Sequence, residues 1–166
     1  MSENDKKDWW VTETQCDLFK AAQRDIITIG SIIEYKKFQP EDNAETICRF
    51  VAESVEKTLK AWLRDYDPQL KIPKTHDLEK ICKILINSDK NFENIKEQCA
   101  SLNNYTTEFR YSSFSTIEEH EVKRNLKDLK YIYDFPLIKE TRNKINKDNK
   151  FNVLPDDIGT LFGKYY

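Results

Sequence analysis

The chain has 166 residues, 34% of them charged, and a formal net charge of −2. That length supports one domain with a real core. The near-balance of signs argues against a generic nucleic-acid coat, which needs a large basic excess, and leaves room only for a small local basic patch.

Residues 1–8 are polar and read as a disordered N-terminus. The first helix is expected from about Trp9 to Tyr35, where Leu18, Ala22, Ile26, Ile29 and Ile33 recur at three- or four-residue steps. Gly30 marks close packing or a bend in it. KKFQPEDN is a loop, with Pro40 as breaker and Asn43 as candidate N-cap. A second helix spans about Ala44 to Asp65. Ile47, Val51, Val55, Leu59 and Trp62 form its core face, and Arg49, Glu53, Glu56, Lys57, Lys60 and Arg64 form the opposite one. Glu53 with Lys57, and Glu56 with Lys60, have the favourable i, i+4 order. DYDPQLKIPK is a connection held open by Pro68 and Pro73. A third helix starts near His76, with Thr75 as N-cap, and carries Leu78, Ile81, Cys82 and Leu85 inward. A fourth covers roughly Phe92 to Thr107, with Ile95, Cys99, Leu102 and Tyr105 inward. A fifth follows Thr116, whose N-cap role is supported by Glu119 at the capping-box position. It carries Val122, Leu126, Leu129 and Ile132 or Tyr133 until Pro136 interrupts or kinks it, after which LIKETRNKI continues. The segment 146–166 is a polar tail with a few aromatics. The whole is an all-α, up-and-down bundle of about five helices over residues 9–145.

Glycine occurs three times, at Gly30, Gly159 and Gly163. Such scarcity disfavours a turn-rich β protein, and no phosphate-cradling glycine run exists. Cys16, Cys48, Cys82 and Cys99 are far apart. They read as reduced, small, apolar side chains, and two histidines do not complete a zinc site. No cofactor and no metal is called for. The polar start carries no signal peptide, and no apolar run approaches a membrane span, so a soluble cytoplasmic protein is expected.

His76 is the residue on which an enzymatic reading turns. A catalytic histidine needs a partner acid, base or nucleophile. Nothing in the sequence places one beside it, so the structural role is the simpler one. Arg110 and Tyr111 follow a helix end, where an arginine can clamp a phosphate and a tyrosine can stack on a base. Lys57 and Lys60 would add charge to such a site. The plainer alternative has Arg110 capping its helix or pairing with Glu108, Tyr111 in the core, and both lysines held by helical carboxylates. His120 sits among Glu118, Glu119 and Glu121 and reads as a surface residue. Tyr131, Tyr133 and Phe135 read as core or interface. Trp9 and Trp10 are adjacent and cannot share one helical face, so one is a candidate partner contact.

Three segments, in order, resemble the HEPN domain. They are Ser54-Val55-Glu56-Lys57-Thr58-Leu59-Lys60-Ala61, then Thr75-His76-Asp77-Leu78, then Tyr105 with Arg110-Tyr111. Trp10, Asp17-Leu18 and Ala21-Ala22 are similar to the family's first helix. Ser54 replaces a usual alanine, Ala52-Glu53 replaces paired glutamines, and Ser112 stands where a proline is common. The resemblance implies a helical bundle, commonly homodimeric, similar to the helical domain of kanamycin nucleotidyltransferase. It also implies a division by chemistry. The ribonuclease branch carries an arginine followed after four to six residues by a histidine, and this chain lacks that spacing. Arg64 and His76 are too far apart, as are Arg110 and His120. The non-nuclease branch is often encoded with a minimal nucleotidyltransferase, as a two-component or toxin–antitoxin-like pair. The resemblance therefore implies a helical partner of such an enzyme, with a nucleotide as candidate ligand at Arg110, Tyr111, Lys57, Lys60 and His76. The alternatives are a HEPN ribonuclease with a non-standard site and a helical interaction module without a ligand.

Overall fold

Thr14 starts the first helix. Its hydroxyl accepts from the Asp17 N–H at 3.2 Å, and the Asp17 carboxylate accepts from the Thr14 N–H at 3.1 Å. This reciprocal capping box places the beginning at Gln15 rather than at Trp9. A computed structural model describes residues 14–35, 40–106, 116–149 and 154–166. Trp9, Trp10, Glu108, Arg110, Tyr111 and Ser112 lie outside the described residues.

Among the described residues there are six α-helices and no strands. They are α1 (Gln15–Glu34), α2 (Pro40–Tyr66), α3 (Leu78–Ser88), α4 (Lys96–Asn103), α5 (Glu119–Tyr133) and α6 (Pro136–Asn149). The fold is all-α, and the expected interruption at Pro136 is a full break that makes the segment after it a sixth helix. Pro136 opens α6, a position where its missing N–H costs nothing. Pro40 does the same for α2, so Asn43 lies inside the helix rather than capping it. The expected fourth helix is split into a 3-10 turn over Lys90–Ile95 and the short α4. No described helix is long and apolar enough to cross a membrane.

α2 is the central rod. It packs along α1 and touches α3, α4, α5 and α6. Its apolar stripe is sealed: Ile47, Val51, Val55 and Leu59 are fully buried and Trp62 nearly so. Each such side chain contributes roughly 1.5–3 kcal/mol by leaving water. The remaining inward residues follow the periodicity as well, with Leu18, Ala22, Ile26 and Ile29 of α1, Leu78, Ile81, Cys82 and Leu85 of α3, and Val122, Leu126, Leu129 and Ile132 of α5 all buried. Ser54 is also fully buried, and its hydroxyl donates to the Val51 carbonyl at 2.9 Å. All four cysteines are free thiols, Cys16 being half-buried and the others buried.

The last described segment also contributes to the core. Leu154, Ile158, Phe162 and Tyr165 are buried, and the 3-10 turns over Ile158–Leu161 and Gly163–Tyr165 pack on α1 and α5. Gly30 permits this approach. A Cβ there would stand 3.2 Å from Leu161 Cβ.

Candidate functional site

The connection from α2 to α3 brings His76 back against the middle of α2. Asp77, not Thr75, caps α3, and its carboxylate accepts from the Lys80 N–H at 3.0 Å. Thr75 Oγ1 accepts from the Asp77 N–H at 3.0 Å, and the buried Asn103 of α4 accepts from the Leu78 N–H at 2.8 Å. Three orphan donors at the start of α3 are thereby satisfied. His76 consequently precedes the helix, and its side chain turns to α2.

There it meets Glu56. His76 Nδ1 lies 2.9 Å from Glu56 Oε2, and Lys60 Nζ donates to Glu56 Oε1 at 2.7 Å and to the Thr75 carbonyl at 2.8 Å. Glu56 and Lys60 are each only 7% exposed, so they belong to the interior and not to the solvated face that their i, i+4 spacing suggests. A buried carboxylate is tolerated only when its oxygens are engaged, and here both are. An ionised carboxylate has acceptors alone, so Glu56 accepts from His76 where Nδ1 carries the hydrogen. The His76 side chain is 41% exposed, which leaves part of the ring open to solvent. The sequence shows no acid beside His76; the fold supplies one from twenty residues upstream. The legible signal lies off the main stripe of α2. Ala52, Ala61 and Leu63 are apolar and buried there, as expected for a helix covered on more than one side.

Lys57 faces the other way. It pairs with Asp25 of α1 and stands 3.9 Å from Glu53. Burial raises the Asp25 pKa, with Lys57 working against the shift. Lys57 therefore does not converge with Lys60 and His76 on one site. Arg110 and Tyr111, the remaining sequence candidates, lie outside the described residues.

The segment that holds those two residues is flanked by a polar clamp. The Tyr105 hydroxyl donates to Glu121 Oε1 at 2.7 Å, and Arg124 donates to the Tyr105 oxygen at 3.3 Å. The Glu118 N–H and the Tyr105 hydroxyl hold the Glu121 pKa below its usual value. Burial and the Glu121 charge push Tyr105 up to about 12. The capping interaction of α5 runs from the Glu118 N–H to Glu121 Oε2 at 2.9 Å, so Thr116 lies outside the helix and is exposed. His120 is on the surface, 3.2 Å from Glu118.

Searches among curated proteins and among solved structures found no match to this chain. The family model of the HEPN domain, in contrast, matches residues 18–141. That span runs from the first turn of α1 into α6 and includes the Glu56–His76 corner and the Tyr105 clamp. The chain belongs to the HEPN domain family.

Proposed function

We propose that this HEPN protein acts without ribonuclease chemistry of its own, as the helical partner of a minimal nucleotidyltransferase in a two-component, toxin–antitoxin-like pair. It works in the cytoplasm as a homodimer, and its candidate ligand is a nucleotide. The observation that carries the reading is a spacing. Gln69, Leu70 and Lys71 precede His76 by the distances at which the ribonuclease branch has its arginine, and Ser113, Phe114 and Ser115 do so for His120. Without that arginine a developing phosphate charge loses its main stabiliser. Nucleotide contacts fall to His76 with Arg110 and Tyr111, because Lys57 and Lys60 already serve Asp25 and Glu56. The test is co-elution of the purified protein with the nucleotidyltransferase encoded by a neighbouring reading frame. Light scattering on the protein alone gives the homodimer, and calorimetry with ATP or GTP at millimolar concentration reads the ligand.

One observation favours the ribonuclease alternative. The Glu56–His76 pair resembles an oriented general base, a carboxylate fixing one ring nitrogen at 2.9 Å. On this second reading the pure protein cleaves RNA, and His76→Ala, Glu56→Gln and Arg110→Ala each reduce the rate by at least about a hundredfold. Intact RNA after prolonged incubation with wild-type protein removes that reading and leaves the first.

A further inference from the structure

The last two turns of α5 and its C-cap residue bring Lys127, Lys130, Tyr131 and Asp134 to one face by three- and four-residue steps. The break before α6 places Phe135 beside them. Asn94 from the 3-10 turn ahead of α4 and Tyr166 from the last described segment complete the wall. Together they line a cavity of about 620 Å³, within the roughly 300–1,000 Å³ usual for small-molecule sites.

The lining is specific in three respects. First, it holds aromatic surface outside the core: Tyr131 is 51% exposed and Tyr166 47%, while Phe135 is buried below them. Second, its two lysines differ. Lys130 is neutralised by Asp134 and by Asp157 at 3.1 Å, and those carboxylates raise its pKa. Lys127 is exposed and makes no ion pair among the described residues. Third, Asn94 spends its Nδ2 on the Asn91 carbonyl at 2.8 Å and keeps Oδ1 as an acceptor. Aromatic faces, one uncommitted cation and one acceptor suit a flat ring that carries a negative group.

We propose that the cavity at the α5–α6 junction binds a small planar aromatic anion. Its ring lies against Tyr131 and Tyr166, its phosphate or carboxylate sits at Lys127, and a ring donor meets Asn94. The cavity shares no lining residue with the Glu56–His76 corner, so this inference stands apart from the nucleotidyltransferase pairing.

Calorimetry on the full chain tests it with 1-naphthyl phosphate and AMP as aromatic anions, and with adenosine and inorganic phosphate as single-feature controls. At least one aromatic phosphate is expected to bind at millimolar concentration or below, with each control weaker by about tenfold or more. Tyr131→Ala and Lys127→Ala, both at exposed positions, should each weaken it at least about fivefold with an unchanged melting temperature. AMP favoured over 1-naphthyl phosphate identifies a nucleotide as the source; equal affinities identify a broader class of aromatic anions. The proposal is overturned if neither aromatic phosphate binds, if adenosine binds as tightly as AMP, or if both variants retain wild-type affinity. Loss on His76→Ala but not on Tyr131→Ala also overturns it and moves the ligand to the Glu56 corner.

Discussion

α2 buries two unlike faces. One carries Val51, Val55, Leu59 and Trp62, the other Glu56 and Lys60. The apolar face is held by a non-directional effect that scales with area, so its strength is spread over many neighbours. The polar face depends on each donor meeting its acceptor: Lys60 with Glu56 and Thr75, Glu56 with His76. A truncation on the first face leaves a void, and one on the second leaves a stranded charge. The same helix thus responds to substitution by two different mechanisms, and mutants can separate them.

Leu59→Ala should have the largest effect, a loss of about 4 kcal/mol, because Leu59 is fully buried in the central helix and its site cannot collapse freely. Urea denaturation measures it, and a loss below about 2 kcal/mol would mean that α2 is less tightly enclosed than its burial indicates. Lys60→Ala should follow at about 3 kcal/mol, the low end for breaking a buried ion pair, since Glu56 keeps His76 as a partner. The double variant Glu56→Leu with Lys60→Met then recovers most of that loss, because no unpaired charge remains. If the double variant is no more stable than Lys60→Ala, the corner is held by packing of the lysine stem and not by its charge.

The apolar face was legible because periodicity reports it directly. Ile47, Val51, Val55, Leu59 and Trp62 fall at helical steps, and nothing else produces that pattern. The polar face was not, because an i, i+4 Glu–Lys pair has the same spacing on a solvated surface and inside a core. Only the covering elements distinguish the two, and the return of the 72–77 connection onto α2 is a tertiary event. Helix starts illustrate the same limit. Thr75 and Asp77 are both good caps, and Thr116 with Glu119 stands two residues from Glu118 with Glu121. Local preference ranks such neighbours closely, and the choice is made by Asn103 reaching Leu78 and by Tyr105 reaching Glu121. The cavity at the α5–α6 junction was illegible for another reason. Its wall joins the 3-10 turn at Asn94, α5 and Tyr166, which are far apart in sequence.

A smaller effect belongs to the Tyr105 clamp, which combines a half-buried ring with a charged acceptor. Tyr105→Phe should cost about 1.5 kcal/mol at neutral pH, the low end for a hydrogen bond to a charged group. Its pH dependence is diagnostic. The folded protein holds the tyrosine proton to about 12 against an ordinary value of 10.0, so it retains the proton where the unfolded chain loses it. The stabilisation is complete below the ordinary value and disappears as pH rises toward 12. The gap between wild type and Tyr105→Phe should therefore close over that window. A gap that is constant with pH would show that the hydroxyl is solvated in the native state. Glu121 acts at the other end. Its lowered pKa contributes stability above its ordinary value, lost as pH falls through the folded one.

The smallest effect is expected where burial and pairing oppose each other. Asp25 is 8% exposed and paired with Lys57, yet burial outweighs the lysine and its pKa is raised. A raised folded pKa means that the native state binds this proton more tightly than the unfolded chain does. The ionised form then works against folding at neutral pH, and that penalty is relieved as pH falls through the folded value. Asp25→Asn removes the penalty together with the ion pair, and Lys57 retains Glu53 at 3.9 Å as a second carboxylate. The two changes offset, and Lys57, whose side chain is 29% exposed, is not stranded, so stability at neutral pH should move by less than about 1 kcal/mol. The relief on acidification should vanish in the variant. A loss comparable to that of Lys60→Ala would place Asp25–Lys57 in the same class as the Glu56 corner and would erase the distinction between a buried charge that is fully satisfied and one that is merely accompanied.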